Sequence, residues 1–158
     1  MADVEIKGLA ELHKLLQELP AKVEANVMRG GLRAAGKVIE EEAKRLAPVD
    51  RGDLRDSIRA SVRIQRRKGL VEGTVKAGGK KAWYARLVEF GTAAHLIRPK
   101  NRKSLFFAAL AREEVSQPGA QKKPFMRPAF DSKAREAIKA MADYIRVRLP
   151  KELKKAGR

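Results

Sequence analysis

The chain has no cysteine. That absence removes disulfides, thiolate nucleophiles and cysteine metal sites together, and leaves the redox compartment open. Aromatic residues are few, with one Trp, two Tyr and five Phe in 158 residues. They fall at positions that read as core rather than between basic residues, which gives little support to base stacking on single strands. The two histidines, His13 and His95, are isolated, and each reads as an ordinary, partly exposed residue in preference to a ligand or base. No apolar run approaches the ~20 residues of a membrane helix. The opening Met1 to Glu5 lacks the basic and apolar regions of a signal peptide. Walker and dinucleotide phosphate loops, a His-Glu-x-x-His pair and a serine nucleophile elbow are all missing. Gly78-Gly79-Lys80-Lys81 has neither the spacing nor the following Ser or Thr of a phosphate loop. No helix-turn-helix or zinc finger is visible. The expectation is a protein without catalytic residues, metal or cofactor.

Basic charge, by contrast, is abundant: 36 Lys and Arg against 19 Asp and Glu give +17. Such an excess points to nucleic acid, an anionic surface or acidic protein neighbours. The plainer alternative is solubility plus a solvated end, since Lys151, Lys154, Lys155 and Arg158 lie in the last residues. The length fits one domain, which buries roughly 70% of the surface its unfolded chain exposes. Residues 1–150 are read as that domain and 151–158 as a basic tail.

Asp3 to Lys7 alternates as a short strand, and Leu9, Leu12, Leu15, Leu16 and Leu19 recur at helical spacing up to Pro20. A longer helix is expected from about Ala21 to Ala47, with Val23, Val27, Ala34, Val38, Ile39 and Leu46 as its apolar stripe. Gly30, Gly31 and Gly36 inside it imply either a close approach by a neighbouring backbone or a local bend. Pro48 stops the helix. Asp50 to Asp53 resembles a capping box, with Asp50 as N-cap of a single turn through Arg55. Arg51-Gly52-Asp53 also spells an integrin-binding tripeptide, but Gly-Asp is ordinary turn chemistry.

Ile58, Ala60, Val62 and Ile64 alternate with polar residues, as do Val71, Gly73, Val75 and Ala77 after a turn at Arg66 to Gly69. This is an antiparallel hairpin with one apolar face. Its other face and tip carry Arg59, Arg63, Arg66, Arg67, Lys68 and Lys76, the densest basic cluster in the folded part of the chain. Trp83, Tyr84, Leu87 and Val88 fit a two-turn helix capped by Gly91. His95 begins a strand, Asn101-Arg102 reads as a turn, and Leu105 to Leu110 as a buried strand. Ala111 to Lys123 reads as a long loop. Pro124 to Pro128 introduces a last helix with Ile138, Met141, Ile145 and Leu149 as its stripe, ending at Pro150. The fold class is α+β: a small antiparallel sheet (hairpin 57–78 plus strands near 94–110) packed on a long N-terminal helix and a C-terminal helix.

Glu89 lies between Val88 and Phe90. A desolvated carboxylate there would have a raised pKa suited to general acid chemistry. The favoured alternative is a charge paired with an arginine or bonded to backbone N–H groups, because no second catalytic group shares a recognisable motif.

Three segments stand in a fixed order: Pro48 to Ile58, with Asp50, Gly52, Leu54 and Ser57; Tyr84 to Thr92, with Glu89, Phe90 and Gly91; and Pro124 to Phe130, with Phe125 and Pro128. Together they resemble the tailed-phage family typified by gene product ten of HK-type lambdoid phages. The family's Pro-x-Asp-x-Gly-x-Leu-x-x-Ser-Ile, Tyr-Ala-x-x-Val-Glu-Phe-Gly-Thr and Pro-Phe-x-x-Pro-Ala-Phe patterns are matched, with Arg51 where Thr is usual. The resemblance spans about Val4 to Leu149. It implies a virion protein of the head–tail junction or upper tail, made in the host cytoplasm. Tail-completion or head–tail joining is the implied activity, as a homo-oligomeric ring, hexameric in similar proteins. The implied partners are the head connector or head-completion protein and the tail terminator or tail tube proteins, with no membrane.

A ring needs a heterologous interface. The hairpin edge and the segment after Ala111, with Glu113, Glu114, Gln117, Lys122 and Lys123, are candidate contacts, and that segment is a candidate for ordering on assembly. Six copies at +17 carry about +100, so the basic hairpin should face an acidic connector or tail protein, or phage DNA. A basic DNA-binding module is the alternative function.

Overall fold

A computed structural model describes residues 21–65, 69–99, 105–107, 110–112 and 114–156. The strand expected at Asp3 to Lys7, the leucine helix up to Leu19, His13, Arg66 to Lys68, Asn101-Arg102 and Glu113 lie outside the described residues.

The fold is α+β. Helix α1 spans Ala21–Leu46, followed by the single turn α2 at Asp53–Ser57. Strands β1 (Arg59–Gln65) and β2 (Leu70–Lys76) come next, then α3 (Ala85–Phe90). Four short strands follow: β3 (His95–Ile97), β4 (Leu105–Phe107), β5 (Leu110–Arg112) and β6 (Val115–Gln117). Helix α4 closes the chain at Met126–Ala156. The described strands do not share one sheet. They form three antiparallel pairs: β1 with β2, β3 with β6, and β4 with β5.

The chain divides into two compact units. Unit one holds residues 1–42, 59–76 and 132–158. In it, α1 uses the row Leu32, Gly36 and Glu40, spaced i, i+4, i+8, against the apolar face of the hairpin. The Leu32 side chain lies over Gly73, and a Cβ at Gly36 would stand 3.0 Å from that of Ala60. Glu40 Oε2 accepts the Ala60 N–H at 2.7 Å. On another side of α1, buried Val27 packs with Ile145, flanked by Met28, Met141 and Leu149. The glycines of α1 therefore serve close approach, but mainly by side chains: Tyr144 covers Gly30, and Met141 and Ile145 approach Gly31.

Unit two holds residues 43–58 and 77–131. Its buried positions are mostly small, Ala43, Ala47, Ala82, Ala85 and Ala129, around the larger Leu54, Ile58 and Phe125.

Four local expectations need correction. Asp50 is exposed and is not the N-cap of α2. Gly52 is, at φ 87, and no side chain caps the turn. The left-handed conformation at glycine lets its carbonyl accept the Asp56 N–H at 3.0 Å without a side-chain cap.

The segment from Ala111 to Lys123 is not a loop throughout. β5 runs to Arg112 and β6 pairs with β3, His95 facing Gln117 and Ile97 facing Val115. The same register continues to a bridge between Thr92 and Ala120. β6 is held by a partner some twenty residues away in sequence and carries no local signal of its own.

The run Leu105 to Leu110 is split between β4 and β5, with Phe107 facing Leu110. Finally, α4 does not stop at Pro150 but continues to Ala156. The residues after Pro150 are good helix formers, and an Arg148–Glu152 ion pair at 2.7 Å spans the proline.

Candidate functional site

The three ordered segments meet in unit two, where main-chain groups are satisfied by a few side chains. Ser57 Oγ donates to the Leu54 carbonyl at 2.6 Å and accepts the Gly78 N–H at 2.9 Å. The first segment is thereby tied to the chain leaving β2, while Leu54 and Ile58 are buried beneath it.

The second and third segments are joined by Glu89. The first N–H groups of a helix have no intrahelical acceptor. At α4 the Glu89 carboxylate supplies one: Oε2 accepts from Phe125 at 2.8 Å and Met126 at 3.0 Å, and Oε1 from Arg127 at 3.1 Å. The next residue, Pro128, has no N–H to satisfy. Ala129 then donates to the Phe125 carbonyl at 3.2 Å. This accounts for the Pro-Phe-x-x-Pro pattern and for a glutamate 36 residues earlier. Burial by itself raises the Glu89 pKa, but the three backbone hydrogen bonds and the Arg127 charge outweigh it, and the net shift is downward. A general acid needs the opposite shift, so the carboxylate is a helix cap.

Gly91 ends α3 as expected. Its N–H bonds the Leu87 carbonyl at 2.8 Å, with φ 73 and ψ −177. The Val88 carbonyl accepts the Lys123 N–H at 2.8 Å, and Thr92 and Ala120 exchange backbone bonds at 2.9 and 3.1 Å.

What α3 presents outward differs from expectation. Trp83, in the turn that precedes α3, and Phe90, the last residue of α3, fall at positions that read as core. Yet Trp83 is 72% exposed and Phe90 67%. The core face of this segment is made by Ala82 and Ala85. Phe130 is 56% exposed, and among the described side chains of this unit the fully buried aromatic is Phe125. A groove of about 530 Å³ is lined by Phe90, Phe125, Phe130, Ala85, Arg86 and Asp131 among others. A second, of about 590 Å³, is lined by residues 48–54 with Lys81, Tyr84 and Leu87. The short β3 is exposed at His95, Leu96 and Ile97 alike.

The expected contact residues fall into two sets. In unit one, Arg59, Arg63 and Lys76 are exposed on the face of the hairpin away from α1. In unit two, Glu114 pairs with Arg98 at 3.1 Å, Gln117 faces His95, and Lys122 and Lys123 are exposed. The outward aromatics were missed. The signal available for them was the pair of alanines, Ala82 and Ala85, which take the core side and turn the larger residues out.

A protein-family comparison gives the lineage: residues 10–91 match the family described as "Bacteriophage HK97-gp10, putative tail-component". That is just over half of the chain, and the chain belongs to this family. Neither a curated protein nor a solved structure matches it. Membership ties the chain to the virion of a tailed phage, among other virion proteins.

Proposed function

We propose that this protein is a structural, non-catalytic component of the phage neck or upper tail that assembles as a ring and joins the tail tube to the head connector. The observation that carries this reading is the exposure of Trp83, Leu87 and Phe90, in α3 and the turn before it. Large aromatics exposed together are the residues that anchor protein interfaces when a partner desolvates them. A ring closes by one patch meeting a different patch on the next copy, and the groove lined by Phe90 and Phe130 supplies a concave patch on the same unit. Short, exposed β3 supports the same reading, because a two-stranded ribbon is marginally stable until something covers it.

Light scattering and negative-stain microscopy test the proposal, with the protein alone and with purified tail tubes or head connectors. Rings, and binding to at least one of these structures, are expected. A monomer that binds neither overturns the reading.

A further inference from the structure

We infer that the outer face of the β1–β2 hairpin is a contact surface for the phosphate backbone of double-stranded DNA. The inference concerns unit one, and it stands whether or not the ring forms.

Register sorts the hairpin into two faces. Ala60, Val62 and Ile64 lie with Val75, Gly73 and Val71, and α1 covers that side through Leu32 and Gly36. The opposite face pairs Arg59 with Lys76, Ser61 with Thr74, and Arg63 with Glu72. Like charges directly across a ladder are destabilising, yet Arg59 and Lys76 face each other. Among the described residues neither they nor Arg63 makes an ion pair within 4.0 Å. Glu72 is engaged by Gln65 instead, at 3.3 Å. Between the cations, the Ser61 and Thr74 hydroxyls lie 2.9 Å apart. Two hydroxyl protons are available and the mutual bond uses one, which leaves one O–H to donate outward.

Beside the Glu72 carboxylate and Leu70, the face carries guanidinium, ammonium and hydroxyl donors, the groups that contact phosphate. It has no aromatic side chain, whereas protein interfaces concentrate their energy in buried aromatics; in this chain such aromatics stand on unit two.

The test is fluorescence anisotropy of a labelled 30-base-pair duplex with the full chain, between 50 and 300 mM KCl. The triple variant Arg59→Ser, Arg63→Ser, Lys76→Ser removes three cations from the face. A control, Lys80→Ser, Lys81→Ser, Lys122→Ser, removes the same charge from unit two. Counterion release lowers the log–log salt slope by about 0.9 for each phosphate that is no longer neutralised. The hairpin variant should thus show a slope shallower by about 2.7, and the control a change below about 1. Equal changes in both variants, or no duplex binding at 50 mM KCl, overturn the inference. So does displacement of the duplex by polyglutamate as effectively as by unlabelled duplex, which assigns the face to an acidic protein.

Discussion

Glu89 Oε2 accepts the backbone N–H of Phe125 at 2.8 Å, across 36 residues of sequence. With Met126 and Arg127 on the same carboxylate, one side chain satisfies the exposed donors at the start of α4.

Removing this cap should cost stability in proportion to the acceptor oxygens removed. Glu89→Ala is expected to destabilise by about 2 kcal/mol, and Glu89→Gln, which keeps one acceptor oxygen, by about 1 kcal/mol. Urea midpoints at pH 7 check both. The pH dependence follows from the downward shift. A carboxylate whose folded pKa lies below its usual 4.5 stabilises the fold above that pH and stops doing so as pH falls through the folded value. The gap between the native chain and Glu89→Gln should therefore be full at pH 6–7 and shrink below about pH 4.5.

Gly91→Ala should be more damaging than Gly69→Ala, although both glycines have positive φ, 73 and 60. An added Cβ at Gly91 meets backbone, the Ala120 carbonyl oxygen at 2.7 Å and the Lys122 nitrogen at 2.9 Å. At Gly69 nothing among the described residues lies within 4 Å. The second substitution carries the conformational cost alone, about 1 kcal/mol. The first adds displacement of the Ala120–Lys122 segment, for a total of about 2–4 kcal/mol. Thermal melts of the two variants side by side give the comparison.

Trp83→Ser and Phe90→Ser separate folding from assembly. Both side chains are mostly exposed, so the free chain should keep its stability within about 0.5 kcal/mol. Loss of an interface anchor is worth about 2 kcal/mol or more, so association should weaken at least about tenfold. Urea unfolding and light scattering read the two effects.

Much of the scaffold was legible in the sequence. Alternation from Ile58 to Ala77 locates the hairpin, Pro48 marks the end of α1, and Gly91 marks the end of α3, because each follows from a residue's own backbone or periodicity. Glu89 was legible as a carboxylate with two roles, but choosing between them needed Phe125, Met126 and Arg127, which no local pattern brings near. Trp83 and Phe90 misled because large aromatics serve cores and interfaces alike. Only the placement of Ala82 and Ala85 shows which side is inside. β6 was hidden for a third reason: its stability lies in the ladder with β3.

The single tryptophan allows a direct test of the claim that the outward face of α3 is an assembly surface. With 5-fluorotryptophan incorporated into this chain alone, Trp83 gives one fluorine resonance, undisturbed by tryptophans of any partner. As the concentration is raised, or as purified tail tubes or connectors are added, that resonance should move and broaden in step with the assembly seen by light scattering. An assembly that forms while the Trp83 resonance stays at its free-chain position contradicts the account.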